Sequence, residues 1–218
     1  MQPAYELFAY WRTSATYRVR VALNLKNLSA REHQINLDAG EQGSEAFLKI
    51  NPLAAIPALV EPGHAPLMQS LAILEFLDET HPDPPLLPSD PYGRARVRSL
   101  ALMLAADTHP LLTGRIKKYL TGSGGFDDAA WRAWQTQWFG VGLQATERRL
   151  SSEAETGAFC HGDQPGLADI CLASIIVVAR IFNIAIPDIP TIDRIVARCD
   201  ALPAFAKAEP SRQTGAPA

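Results

Sequence analysis

Hydroxyls gathered where a strand hands over to a helix are the first residues of this chain equipped for chemistry. Arg12-Thr13-Ser14-Ala15-Thr16 follows the aromatic and apolar run Tyr5 to Tyr10 and precedes a stretch of helical spacing. At such a helix start, hydroxyls and free backbone N–H groups form an anion site. A thiol held there would give up its proton more readily, because the positive helix end and an O–H donor both favour the thiolate. The second place is Ile56-Pro57. A cis proline there would leave the Ile56 N–H and C=O unpaired at a strand edge, where a peptide can dock by β-type hydrogen bonds. The third is Gln69-Ser70, which opens another helix and can clamp a carboxylate with backbone N–H groups and the Ser70 hydroxyl. Each place has an ordinary alternative: N-capping for the hydroxyls, a turn for the proline. Taken in order they suit one ligand, a tripeptide with a thiol in its middle and carboxylates at its ends.

These residues need elements to position them, and the sequence punctuates itself clearly. Tyr5 to Tyr10 reads as a strand, and Val19, Ala22, Leu23 and Leu25 repeat at helical spacing up to Lys26, with Asn27 as the cap. A second strand is expected over Glu32 to Leu37, then a short helix over Ser44 to Ile50 ended by Asn51-Pro52. Ile56 to Val60, the turn Pro62-Gly63, and Pro66 to Met68 form a hairpin signal. Ser70 is expected to cap an amphipathic helix with Leu71, Leu74, Phe76 and Leu77 inside and Glu75, Asp78 and Glu79 outside. The order β-α-β-α-β-β-α is that of the thioredoxin plan. Proline is excluded from strand interiors, so Pro57 should start its strand or hold a cis bond.

Five prolines in the segment from His81 through Pro91, the last of them Pro91 itself, break all periodicity and mark a semi-rigid linker. Beyond it no strand pattern appears. Helices are expected near 91–119, 127–152, 167–181, 188–200 and 203–208, with Gly122 to Gly125 as the flexible break. The fold class is therefore α/β plus all-α: a thioredoxin-like domain over 1–84, a linker over 85–91 and an all-helical domain over 92–218.

Composition sets the outer bounds. With 218 residues and 47% apolar, the chain can fill two cores, and a net charge of −3 excludes a general polyanion binder, so no nucleic-acid partner is expected. Cys160, Cys171 and Cys199 are widely spaced without a CxxC pair, which points to buried structural thiols and to no metal, even with His161 beside Cys160. The apolar run Ile170 to Ala179 stops at Arg180, too short for a membrane span. Met1 to Tyr10 lacks the basic start of a signal peptide. A cytoplasmic location is expected.

At the residues singled out above, the chain resembles the zeta class of glutathione transferases, which includes maleylacetoacetate and bacterial maleylpyruvate isomerases. Tyr10 to Leu23, YWRTSATYRVRVAL, is similar to that family's YxRSSCSxRVRIAL signature. Asn51-Pro52, Ile56-Pro57-Ala58-Leu59, Gln69-Ser70-Leu71-Ala72-Ile73, Pro85 to Pro88, Gly162-Asp163, Leu167-Ala168-Asp169 and Leu202 to Phe205 match further motifs in order, so the likeness runs from residue 5 to about 213. The resemblance implies glutathione as cofactor, held by Thr13, Ser14, Gln42, Ile56, Pro57, Gln69 and Ser70. Thr13 stands at the usual thiol-partner position. Its β-branch restricts it, and Ser14 is the freer rotor, so Ser14 is expected as the main donor with Thr13 second. Ala15 replaces the family's cysteine, and Gly166 replaces a hydroxyl cap.

In the second domain, His109-Pro110-Leu111-Leu112-Thr113-Gly114-Arg115 resembles the family's HPLNNxR segment, with the two amides replaced by Leu112 and Thr113. Ile181 stands where the isomerases carry arginine. The implied activity is glutathione-dependent cis-trans isomerisation of a maleyl-type dicarboxylate in aromatic-compound catabolism: the thiolate adds, the single bond turns, and elimination returns glutathione. Arg12 and Arg115 would supply cationic stabilisation, with Arg12 counted as catalytic and Arg12, His109 and Arg115 as substrate-binding. The apolar Leu112 and Ile181 favour a second enzyme reading, conjugation or dehalogenation of a small electrophile. A non-catalytic binding module on the same fold is the third, against which the intact Ser14, Pro57, Gln69 and Ser70 set argues. The resemblance also implies a homodimer, with glutathione and a small electrophile or dicarboxylate as its ligands and no membrane partner.

Overall fold

Strand β1, Tyr5–Ala9, turns Tyr5, Leu7 and Ala9 into the core and leaves Glu6 and Phe8 on its other face, the alternation a pleated strand imposes. In this computed structural model, which describes residues 4–217, β1 is an inner strand of a four-stranded sheet of order β2-β1-β3-β4. It pairs in parallel with β2, Ala30–Gln34, and antiparallel with β3, Ala58–Val60; β3 pairs antiparallel with β4, Leu67–Met68. Helix α1, Ser14–Leu25, provides the crossover between the two parallel strands, as such a connection requires. A short helix α2, Glu45–Leu48, capped by Ser44, precedes β3, and α3, Ser70–Thr80, follows β4.

The expected element order is the one found, with shifted ends. The second strand begins at Ala30 and stops at Gln34 rather than running to Leu37, because its register is set by β1, whose last residue Ala9 faces Gln34. Asp78 was expected outside. It is half-buried instead, because Lys26 Nζ reaches it at 2.7 Å and also donates to the His81 and Pro84 carbonyls. The Asp78 carboxylate in turn accepts the Leu86 N–H at 2.7 Å, so the start of the proline-rich segment is tied down by polar contacts.

The long helix expected over 91–119 is broken. Helix α4, Pro91–Leu102, passes into a π segment, Met103–Thr108, then a 3₁₀ turn, His109–Leu112, before α5, Gly114–Gly122. Pro110 has no N–H to continue the ladder. Thr108 Oγ closes the π segment by donating to the Met103 carbonyl at 2.7 Å. Gly142 of helix α6, Asp128–Ser152, makes room for it: a Cβ there would stand 2.1 Å from Thr108 Oγ1. Helix α8, Pro190–Asp200, starts two residues later than expected because Pro190 takes the first helical position.

Helix α7, Leu167–Ile181, is buried along most of its length, which explains its apolar run, and no helix among the described residues is long and apolar enough to cross a membrane. Gly166 offers no cap side chain. Asp169 compensates by reaching back to the Gly166 N–H at 2.9 Å and accepting the Cys160 N–H at 2.7 Å. Burial pushes its carboxyl from the ordinary 3.8 up to about 6, against those two bonds. Cys160, Cys171 and Cys199 are buried thiols in no disulfide, and burial raises the first and last well above the usual range.

The chain forms two units, Met1–Leu86 with Ala201–Ala218, and Leu87–Asp200. The tail beyond residue 200 was expected in the helical domain. It joins the first unit instead, because α9, Pro203–Ala208, packs on α1, buries Phe205 and Ala208, and offers the Ala204 carbonyl to Asn24 Nδ2 at 2.8 Å.

Candidate active site

Helix α1 begins with Thr13 as N-cap in extended conformation, yet its hydroxyl makes no cap bond. Ser44, Asp90 and Asp127 do make the cap bond at their helix starts, whereas Thr113, at the start of α5, turns its hydroxyl to the Pro110 carbonyl. The hydroxyls of Thr13 and Ser14 likewise serve other partners. Thr13 Oγ is half-buried and bonds Thr16 Oγ at 2.7 Å. Ser14 is only 1% exposed, with its Oγ turned inward to Arg18 Nη2 at 3.2 Å. Of the two hydroxyl residues expected to meet the thiol, Thr13 is the more exposed, and Ser14 is buried against Arg18.

Helix α3 repeats the pattern. Gln69, not Ser70, is its N-cap, again without a side-chain cap bond, and its φ of 68° lies in the region L-residues avoid. Holding a non-glycine residue there costs roughly 1–3 kcal/mol and is a mark of functional sites. Ser70 is the first helical residue, 6% exposed, and its Oγ accepts from Arg18 Nη1 at 2.8 Å. One buried guanidinium on α1 thereby bonds a serine at the start of each helix. Sequence reasoning gave Arg18 no role. The signal was available, since Ser14 and Arg18 are four residues apart on a helix and must share a face.

The Ile56-Pro57 bond is cis, as expected. Ile56 lies before the first ladder pair of β3 and is half-buried, so its backbone stands outside the sheet's pairing. The loop ahead of it is shaped by Asn51, whose Nδ2 donates to the Ala55 carbonyl at 2.6 Å while its Oδ1 accepts the Leu53 N–H at 3.0 Å. Gln42 sits in a single 3₁₀ turn, Glu41–Gly43, and its Oε1 is buried with no partner. A buried amide oxygen left unpaired is destabilising, and a ligand amide or ammonium would satisfy it. Arg12, by contrast, is already engaged. Its Nη2 pairs with Asp38, and its guanidinium lies 5.4 Å and 5.5 Å from the Tyr10 and Trp11 rings. Tyr10 Oη donates to the same carboxylate at 2.6 Å, and burial, then that bond, hold its phenol above its ordinary value. Asp38 went unnoticed in the sequence.

In the second unit, His109 opens the 3₁₀ turn and is half-buried, and Arg115 is exposed on α5. The turn is fixed to α6 by Trp134 Nε1, which donates to the Leu111 carbonyl at 2.8 Å. Arg180, beside Ile181, pairs with Asp200 at 2.8 Å and does not stand in for the absent arginine. A separate cleft of about 570 Å3 in this unit is internally neutralised, since Glu153 bonds both Arg96 and Arg149 at 2.6 Å. Burial opposes it, yet the two arginines hold the Glu153 carboxyl below its ordinary value. No group of three or more His, Cys, Asp or Glu that could hold a metal occurs among the described residues.

A thioredoxin-like sheet, a cis proline at the third strand and two uncapped helix starts joined by one arginine define the glutathione-binding half of a transferase. Residues 3–79 match the family described as glutathione S-transferase, N-terminal domain. The chain is 42% identical to a probable maleylacetoacetate isomerase of Vibrio cholerae over 96% of its own length and 97% of the relative's. Among solved structures it is similar to a maleylacetoacetate isomerase of Methylobacterium extorquens AM1 with bound malonate and glutathione, with TM-score 0.95 and 46% identity over 98% of this chain and all of that one. A holo maleylpyruvate isomerase described as a bacterial zeta-class glutathione S-transferase gives TM-score 0.93 and 37% identity, over 97% and 100% of the two chains. The chain belongs to the glutathione transferase family, and within it to the zeta class.

Proposed function

We propose that this chain isomerises a maleyl-type cis dicarboxylate, with glutathione as cofactor. The observation that carries the reading is that the N-cap residues of α1 and α3, Thr13 and Gln69, make no side-chain cap bond, while the serines that follow them are joined by Arg18. It leaves the N–H groups of both helix starts available to anions. The residues fit a tripeptide thiol. Gln69 and Ser70 would hold the γ-glutamyl carboxylate, the Ile56 backbone ahead of Pro57 the cysteinyl amide, and the unpaired Gln42 Oε1 a donor of the glycine end. Bound glutathione supplies a thiolate that adds to an activated alkene and leaves again, so that it is not consumed. Thr13 Oγ would donate to that sulfur, and the α1 dipole would favour its charged form. Arg115, exposed and on a helix that buries none of its residues, would meet a substrate carboxylate. Arg12 would have to share its fork with Asp38 to do the same. The similar maleylacetoacetate isomerase with bound malonate and glutathione supports a dicarboxylate substrate.

A second reading, conjugation or dehalogenation of a small electrophile, is favoured by Leu112, Ile181 and the commitment of Arg180 to Asp200. Supplying maleylpyruvate with catalytic glutathione separates the two. Isomerisation removes the cis isomer while the free thiol stays constant; conjugation removes one thiol per turnover. No loss of the cis isomer with glutathione present would sink the first reading. The proposal includes a homodimer in the cytoplasm, as the family implies. Sedimentation equilibrium at micromolar concentration should then give about twice the single-chain 23.7 kDa, and a mass at the single-chain value would contradict it.

A further inference from the structure

Arg18 is 2% exposed, among the largest side chains this buried, and it lies in the first unit together with every glutathione-binding residue named above. A guanidinium carries five N–H donors and no acceptor. Each serine oxygen bonded to it must therefore act as an acceptor, and the serine's own proton must point elsewhere. At 2.8 Å from Ser70 Oγ and 3.2 Å from Ser14 Oγ, Arg18 fixes the direction of both hydroxyls and spans the first turns of α1 and α3. Without it, either hydroxyl could turn to a backbone group of its own helix, the ordinary alternative for a serine there. Donation into an oxygen also strengthens that oxygen's O–H as a donor, because hydrogen bonds in a chain polarise one another.

We propose that Arg18 is a positioning residue that locks the thiol seat at the start of α1 to the carboxylate seat at the start of α3, acting through Ser14 and Ser70. The inference rests on the glutathione reading above and adds to it a residue outside the ligand's reach. Two consequences separate this role from plain structural support. The acidity of the bound thiol depends on Arg18, although Arg18 need not touch the sulfur. Ser70, which faces the carboxylate, also influences the thiol, and does so only while Arg18 is present.

The test is ultraviolet titration of the glutathione thiolate bound to the native chain and to Arg18→Met, Arg18→Lys, Ser70→Ala and the Arg18→Met/Ser70→Ala double variant. Calorimetric glutathione affinity is measured on each. Arg18→Met is expected to raise the bound thiol's pKa by about one pH unit. Arg18→Lys keeps a cation but loses the planar fork, and recovers less than half of that shift. Ser70→Ala moves the titration in the same direction in the native chain and adds nothing to Arg18→Met. Arg20→Met is the control: Arg20 is a similarly buried cation of the same helix, committed to Glu32 at 2.8 Å, and its loss lowers stability without moving the thiol. An unmoved thiol in the Arg18 variants, full recovery by lysine, additive effects of Arg18→Met and Ser70→Ala, or an equal shift in Arg20→Met would each overturn the proposal. Should Arg18→Met fail to fold, the lysine variant alone decides, since a native thiol pKa in it is incompatible with the fork's role. Glutathione bound by the native chain with an ordinary thiol pKa defeats this inference alone, whereas no binding at all defeats the glutathione reading with it.

Discussion

Thr13 and Ser14 are neighbours with the same functional group, and burial gives them different work. Thr13 is half-buried and its Oγ bonds Thr16 within the same turn, while Ser14 is buried with its Oγ against Arg18. Thr13→Val should therefore raise the bound thiol's pKa more than Ser14→Ala, and lower turnover at neutral pH on the order of a hundredfold, the usual consequence of removing one donor to a developing charge. A larger effect from Ser14→Ala in the same ultraviolet titration would restore the opposite ranking. Asp169 makes a separate, pH-linked prediction. Its folded-state carboxyl, near 6, lies above its ordinary 3.8, so the folded chain holds that proton more firmly than the unfolded one. Stability from this group is greatest below pH 3.8 and is lost as pH rises through about 6, by up to roughly 3 kcal/mol. Denaturant unfolding of the native chain and Asp169→Asn across pH 4 to 7 should show this slope in the first and not in the second.

The order of elements was legible because strand alternation, helical spacing and Gly/Pro punctuation are local properties, and here they agree with the fold. What stayed hidden depends on neighbours distant in sequence. Gln69 carries no sign of its φ of 68°, Asp78 looks like a surface acid until Lys26 is placed beside it, and Arg18 looks like a solvated cation until Ser70 arrives. The segment 91–119 misled for the same reason, since its periodicity is helical throughout and only Pro110 hints at the break. The π segment depends on Gly142, which lies on another helix. Gly142→Ala would drive a methyl into Thr108 Oγ, reset the π segment and displace the turn that carries His109. Its expected signature is a raised KM for the dicarboxylate with unchanged glutathione affinity, and a fall in stability of about 1–3 kcal/mol from overpacking. Equal loss of both affinities would mean that the segment supports the whole fold rather than the His109 to Arg115 segment.

At the scale of the molecule, the helical unit Leu87–Asp200 is an insertion in the unit that carries the glutathione-binding residues, because α9 returns to pack on α1. This has a consequence for how the protein is made. A ribosome delivers β1 and α1 early, yet the surface of α1 that Phe205 covers stays open until residues past 200 have left the exit tunnel. The inserted helices, contiguous in sequence, are free to fold during that wait. The helix that carries Ser14 and Arg18 is thus begun first and covered last, and an interrupted message ending near Asp200 would release a chain with complete inserted helices and an α1 that lacks its α9 cover.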